Sequence, residues 1–200
     1  MFQIIELPKG KYKTIYIDPP WEVETNTFKE HPAGNKLPYE TMSIQEIKDL
    51  PIQSISEDDS HLWLWTTNFH LHNALNCIEK WEYKYLNVIT WVKSSGLGTY
   101  FVSTTQHLLF AYNKKCLFLN DRFKPTHYIT TKQPKKHSQK PLYFYPLIEG
   151  ISQKPRIELF ARYRREGWDV WGNEIPKETQ MLLSQHKLSE AHTAKSTTEE

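Results

Sequence analysis

Long apolar runs are missing from this sequence. None approaches the ~18 residues that a bilayer-spanning helix needs, so no membrane span is expected. Cysteine is scarce as well: Cys77 and Cys116 stand far apart and in no metal-ligand spacing, which favours reduced intracellular thiols over a disulfide framework. The first residues, Met1-Phe2-Gln3-Ile4-Ile5-Glu6, bring an early acid and no cationic stretch ahead of an apolar one, and do not read as a signal peptide. A strong charge of one sign is absent too. The formal net charge is +2 over 200 residues, too weak on its own to require a nucleic-acid partner. There is no internal repeat. His70 and His72 have no acidic or cysteine partners nearby, so they read as surface helix residues and no metal site is expected. Together these absences point to a metal-free protein of the cytoplasm, or of the nucleus if the source is eukaryotic.

What is present suits one globular domain. Hydrophobic residues at 38% and charged residues at 24% exclude both a disordered and a membranous chain. Thr14 to Ile17 and Leu62-Trp63-Leu64-Trp65 read as buried strands, Val88 to Val92, His107 to Tyr112 and Ile157 to Phe160 as further strands, and Trp168 to Gly172 closes the globular part. Ser43-Ile44-Gln45-Glu46 is a capping box that opens a short helix stopped by Pro51. Asn68 is placed to cap a second helix from Phe69 to about Trp81. A further helix begins near Pro141, and Pro146 requires it either to kink or to start later. Strand, helix and strand in succession predict an α/β layered sheet. The polar stretches 22–38 and 113–139 read as loops, and the polar end of the chain as a mobile tail. The expected boundaries are one catalytic domain over 1–176 and an extension over 177–200.

The most informative stretch is Asp18-Pro19-Pro20-Trp21, directly after the first strand. Each proline fixes φ, lacks an N–H and pushes the preceding residue to an extended conformation. Asp18 and Pro19 are thereby held stiff at a strand's carboxyl end, where open α/β sheets bind ligands. A rigid carboxylate and a free carbonyl can accept both hydrogens of an exocyclic amino group, while Trp21 can stack on the ring that bears it. The bland alternative is a strand-to-loop turn with a core tryptophan.

Three later segments are of the same kind. His137-Ser138-Gln139-Lys140-Pro141 is a basic turn able to hold a carboxylate, Glu158-Leu159-Phe160-Ala161-Arg162 is a strand ending in a guanidinium, and Gly167 to Glu174 ends in an amide and an acid suited to ribose hydroxyls. Lys132, Lys135, Lys136 and Lys140 cluster, with Arg162, Arg164 and Arg165 beyond them, so a local basic surface could neutralise phosphates. Trp63, Trp65 and Trp91 lie inside apolar strands and read as core.

In this order the segments resemble the MT-A-seventy family, the DPPW-type adenine methyltransferases that use S-adenosylmethionine. The resemblance runs from about Lys11 to Glu174. It includes Leu37-Pro38-Tyr39-Glu40-Thr41-Met42, Leu62-Trp63-Leu64-Trp65-Thr66-Thr67-Asn68, and His107-Leu108-Leu109-Phe110 preceded by Gln106, where the family commonly has an acid. It implies a Rossmann-like methyltransferase fold, a mostly parallel central sheet flanked by helices, permuted so that the catalytic motif precedes the cofactor motif. By the same resemblance Asp18, Pro19, Pro20 and Trp21 are catalytic. Tyr39 and Trp21 would meet the target base, with Lys135 and Lys136 on the polymer. Lys140 would hold the cofactor's carboxylate, and Arg162, Asn173 and Glu174 its ribose and adenine edge. The expected partner is nucleic acid, DNA in preference to RNA because a bare catalytic domain lacks the extra parts of eukaryotic RNA enzymes. A homo- or heterodimer and a non-catalytic subunit are the other readings that the family leaves open.

Overall fold

The computed structural model describes residues 7–22, 40–97, 101–119, 126–130, 139–173 and 175. In chain order these form β1 (Tyr12–Ile17), α1 (Ile44–Lys48), α2 (Ile52–Ile55), β2 (Ser56–Thr67), α3 (Leu71–Lys80), β3 (Lys84–Leu97), β4 (Ser103–Tyr112), β5 (His127–Thr130), α4 (Phe144–Ile151), β6 (Arg156–Leu159) and β7 (Asp169–Trp171). One sheet takes all seven strands in the order β5-β3-β4-β2-β1-β6-β7. β1 runs parallel to β2 and β6, β6 to β7, and β3 to β5; only β4 is antiparallel to its neighbours. The mostly parallel α/β sheet expected from the sequence is therefore present, consistent with a Rossmann-like methyltransferase fold.

Side-chain alternation along the strands builds two cores. Ile15, Ile17, Leu62, Leu64, Leu109 and Leu159 point to the face covered by α1, α2 and α3, through Ile47, Ile52, Ile55, Ala74 and Ile78. Tyr16, Trp63, Trp65, Trp91, Leu108 and Phe110 point to the opposite face, where α4 packs through Phe144, Leu147, Ile148 and Ile151. Trp63, Trp65 and Trp91 are all buried, as their strand positions predict. With helices on both faces, β1 lies between two parallel strands and its carboxyl end opens at one edge of a layered core.

Local signals explain several element ends. Ser43 forms the full capping box with Glu46, whose carboxylate accepts from the Ser43 N–H at 2.7 Å. Pro51 ends α1 but also caps α2, a one-turn helix that periodicity does not reveal. α4 starts at Phe144, after two turn bonds onto Pro141 and Leu142. Pro146 thus falls in the first helical turn, where its missing N–H had no helical acceptor, and the helix need not kink. α3 starts at Leu71 with His70 at its cap, not with Asn68. The Asn68 amide instead reaches across to Ser103 and Thr105 on β4, at 2.7 and 2.9 Å. β5 lies within the stretch read as a loop; its four residues are too few, and too polar on one side, to register as a strand. Among the described residues no helix is long and apolar enough to cross a membrane. The tail over 177–200 lies outside the described residues.

Candidate active site

Asp18 follows the last residue of β1, and its chain is pinned by backbone bonds on both sides. The Trp21 N–H donates to the Pro19 carbonyl at 2.9 Å, and the Met42 N–H to the Pro20 carbonyl at 2.9 Å. The first of these closes a three-residue turn around Pro20 and leaves the second lone pair of the Pro19 oxygen for a ligand. Trp21 is 8% exposed, donates from Nε1 to the Trp65 carbonyl at 2.9 Å, and stacks on His70 with centroids 5.2 Å apart. Its indole is largely buried beneath the turn, with one face against His70. His70 is likewise buried at 4%, not a surface residue; an aromatic neighbour and a carbonyl acceptor on Glu22 make its burial tolerable.

Lys140, which precedes α4, comes back to this corner. Its Nζ lies 2.7 Å from both Asp18 oxygens and 5.3 Å from the centre of the Trp65 ring. The lysine side chain is 9% exposed and the aspartate 25%, so the pair sits at the inner edge of a cleft and water screens it only in part. That cleft is lined by Tyr16, Asp18, Gln139, Lys140, Tyr145, Glu158, Phe160 and Arg162 to Arg165, among others. It encloses about 560 Å³ including its open mouth. Asp18, Lys140 and Arg162, chosen from three distant segments, therefore share one hollow. Asn173 is exposed after β7 and is not among the lining residues. Tyr39, Lys135, Lys136 and Glu174 lie outside the described residues.

The lining also includes Glu158 and Tyr145, to which the sequence assigned no role. Glu158 stands beside Tyr16 across the β1–β6 register, and the Tyr145 hydroxyl donates to its two oxygens at 2.9 and 3.0 Å. The Arg165 guanidinium covers the Tyr145 ring at 3.5 Å. Burial pushes the Glu158 carboxyl up to about 7, with the negative charge of Asp18 adding to it and the Tyr145 hydrogen bond and Arg165 pulling the other way. Burial also raises the Tyr145 and Tyr16 phenols, so both stay protonated at neutral pH. One signal for Glu158 was available: an acid inside a short strand paired with parallel neighbours, where apolar residues are the rule.

Backbone geometry shapes the mouth. Phe160, directly after β6, has φ +61°, a left-handed conformation that costs a non-glycine residue on the order of 1–2 kcal/mol. The kink lets the chain leave the sheet toward Arg162, and the Phe160 ring rests on Trp171 at 5.4 Å. Alongside, the Ala161 N–H donates to the Trp171 carbonyl at 3.0 Å. A Cβ on Gly172 would lie 2.4 Å from the Ala161 oxygen, so only glycine lets the two strand ends approach this closely.

The MT-A70 family model matches residues 12–174, which takes in the whole sheet and every lining residue of the cleft. The chain belongs to the MT-A70 family. It is 31% identical to the Type II methyltransferase M.MunI of Mycoplasma sp, over 92% of this chain and 87% of the relative. It is 31% identical to a probable N(6)-adenosine-methyltransferase MT-A70-like protein of Oryza sativa subsp. japonica, over 83% of this chain but 23% of that protein. The N(6)-adenosine-methyltransferase catalytic subunit METTL3 of Homo sapiens is 28% identical over the same share of this chain, which spans 28% of its length. MT-A70 proteins are S-adenosylmethionine-dependent methyltransferases, and the rice and human relatives are named as N(6)-adenosine methyltransferases. The cleft fits that cofactor: it offers a cation in Lys140, acids in Asp18 and Glu158, and a guanidinium in Arg162 to a ligand that carries a carboxylate, an ammonium group and a ribose diol.

Proposed function

We propose that this chain methylates the exocyclic N6 amine of adenine in DNA, with Asp18 and the Pro19 carbonyl accepting the two amine hydrogens. The observation that carries this reading is the Asp18–Lys140 pair at the carboxyl end of β1, inside the hollow it shares with Arg162. S-adenosylmethionine supplies an electrophilic methyl group on its sulfonium. The amine is a poor nucleophile because its lone pair is delocalised into the ring. Two acceptors on its hydrogens favour a more tetrahedral nitrogen with the lone pair aimed at the methyl carbon. Lys140 fixes the Asp18 carboxylate by both oxygens and keeps the acceptor in one orientation, so positioning and electrostatics supply most of the rate. Asp18 or water takes the proton once the nitrogen becomes cationic.

In this reading Lys140 also holds the cofactor carboxylate and Arg162 its ribose; both line the cleft, which supports the assignment. Asn173 and Glu174 complete that end in this reading, and Lys135 and Lys136 lie along the polymer. Tyr39 is assigned to the target base, with Trp21 beneath the corner. In a duplex the base must leave the stack, at a cost of a few kcal/mol. The similarity to M.MunI across nearly both chains supports DNA, and the adenosine-named relatives make RNA the second reading. Two free cysteines support an intracellular, reducing setting. The test is transfer of labelled methyl groups to unmethylated DNA and to RNA, followed by nucleoside analysis. Label in N6-methyldeoxyadenosine is expected; label in methylcytosine refutes the adenine assignment, and label in RNA alone refutes DNA.

A further inference from the structure

The β3–β4 hairpin outruns the sheet that carries it. β2 accompanies β4 only to Thr67, opposite Gln106, and β5 accompanies β3 only to Lys93, opposite Thr130. Past those pairs the two strands continue as a ribbon, with Leu97 opposite Ser103. β3 runs in the same direction as β1, so the ribbon projects from the edge of the sheet at which Asp18 stands. Its root is close to the catalytic corner. The Lys93 Nζ lies over the Trp91 ring, and burial, with repulsion from Lys140, holds its ammonium group below the usual lysine range. From Lys93 to Leu97 the chain runs four residues further, roughly 13 Å of strand.

At the far end stand Phe101 and Val102, 89% and 64% exposed. The ribbon beneath them is held in place. A Cβ on Gly96 would collide with the Ser103 carbonyl, so the strands meet there as closely as only glycine allows. From the end of β2, the Asn68 amide grips the Ser103 and Thr105 hydroxyls, while its carbonyl accepts from His107 Nε2. The other His107 nitrogen meets the Thr90 hydroxyl at 3.1 Å. Below the tip the ribbon carries Ser94, Ser95, Ser103 and Thr104, hydroxyls of the kind that meet phosphates and base edges. A two-stranded ribbon fits the major groove of duplex DNA, ~12 Å across. An aromatic ring already fixed at its end loses little freedom on binding, and apolar wedges of this kind replace stacking contacts where a base step is opened.

We infer that the hairpin tip is a wedge for duplex DNA: Phe101, with Val102 beside it, enters the stack next to the target adenine and fills the gap left when that base rotates into the Asp18 corner. This rests on the reading of DNA as the substrate and adds to it the element that opens the duplex. A second copy of this chain is the weaker occupant, because one ring and one isopropyl group on a hydroxyl-rich stem are far less apolar surface than a stable dimer buries.

The test compares one adenine in two duplexes. The target is located by sequencing plasmid DNA that wild-type protein has methylated. Oligonucleotide duplexes then present that adenine paired with thymine or mispaired with cytosine, since a mispaired base leaves the stack at lower cost. Wild-type protein should methylate both. In Phe101→Ala the rate on the paired duplex should fall about tenfold more than the rate on the mispaired one. Phe101→Leu keeps an apolar wedge and should restore most of that ratio. Both rates come from one protein sample, so partial unfolding of a variant lowers them together and leaves the ratio unchanged. Equal falls on both duplexes, no fall on either, or a Phe101→Leu ratio as low as that of Phe101→Ala overturns the wedge and leaves the DNA reading standing. Sedimentation that finds a wild-type dimer and a Phe101→Ala monomer assigns the tip to a second copy and overturns it as well. Wild-type protein that labels RNA alone, or no polymer, overturns the DNA reading and the wedge together.

Discussion

His70 lies flat against Trp21, with planes 15° apart, and its Nε2 is 2.6 Å from the Glu22 carbonyl. A carbonyl only accepts, so that nitrogen carries the proton, and the ring ties both the tryptophan and the chain after it to the start of α3. The rigid corner that the prolines begin is thus completed by a histidine about fifty positions away in sequence. His70→Ala removes the stack and the hydrogen bond together. It should cost on the order of 2 kcal/mol in urea unfolding. Because His70 is outside the cleft, turnover should fall by a larger factor than cofactor affinity; equal losses would show that the corner is not held from this side.

Asp18→Asn keeps the shape of the acceptor and removes its charge. Lys140, mostly withdrawn from water, would then face a neutral amide that also turns an NH2 toward the amine. Turnover should drop by at least a factor on the order of 10³, equivalent to about 4 kcal/mol in the barrier. Cofactor affinity measured by calorimetry should change only a few-fold. Near-normal turnover of Asp18→Asn with either nucleic acid would contradict the role proposed for the corner.

Gly172→Ala tests the mouth of the cleft from the other side. The added Cβ meets backbone at Ala161 on two atoms, at 2.4 and 2.8 Å, and backbone cannot swing aside as a flexible side chain does. The β6 and β7 ends must separate, which should lower stability by roughly 2–3 kcal/mol. Arg162 sits one residue past the contact, so cofactor affinity should fall too. A variant with wild-type stability would mean that the approach of these strands is not required.

Much of this site could be read in the chain because its parts are short, rigid and local. The Asp-Pro-Pro segment restricts its own backbone, and the capping box at Ser43 is complete within four residues. The strands betray themselves by apolar runs, as in Leu62 to Trp65. What depends on distant packing was not legible. The burial of Trp21 could not be seen until His70 and the Trp65 carbonyl were brought to it from β2 and its end. Asn68 resembles a helix cap by type, but its amide finds better partners on β4. Glu158 on β6 gained its character from burial near Asp18, just after β1, and Tyr145 on α4, which come from distant parts of the chain.

One buried and one partly buried group should make stability depend on pH in opposite senses. Burial holds His61 down from 6.5 to about 4, in a pocket where Nδ1 meets the Ser152 hydroxyl at 2.8 Å and Nε2 has no partner. Between these values the unfolded chain binds a proton that the folded one refuses, so His61 lowers stability as pH falls from 6.5 toward 4. Glu158 moves the other way, from 4.5 to about 7, so here the folded chain keeps a proton that the unfolded one loses. Its contribution is present at low pH and is lost as pH rises from 4.5 through about 7. Each contribution is on the order of 3 kcal/mol, and between pH 4.5 and 6.5 the two slopes oppose each other. Difference curves separate them. The unfolding free energy of His61→Gln minus that of wild type should rise as pH falls through this window, and that of Glu158→Gln minus wild type should rise as pH increases. Urea titrations at half-unit pH steps decide the matter: variant curves that run parallel to wild type would mean that neither group carries a shifted proton in the folded chain.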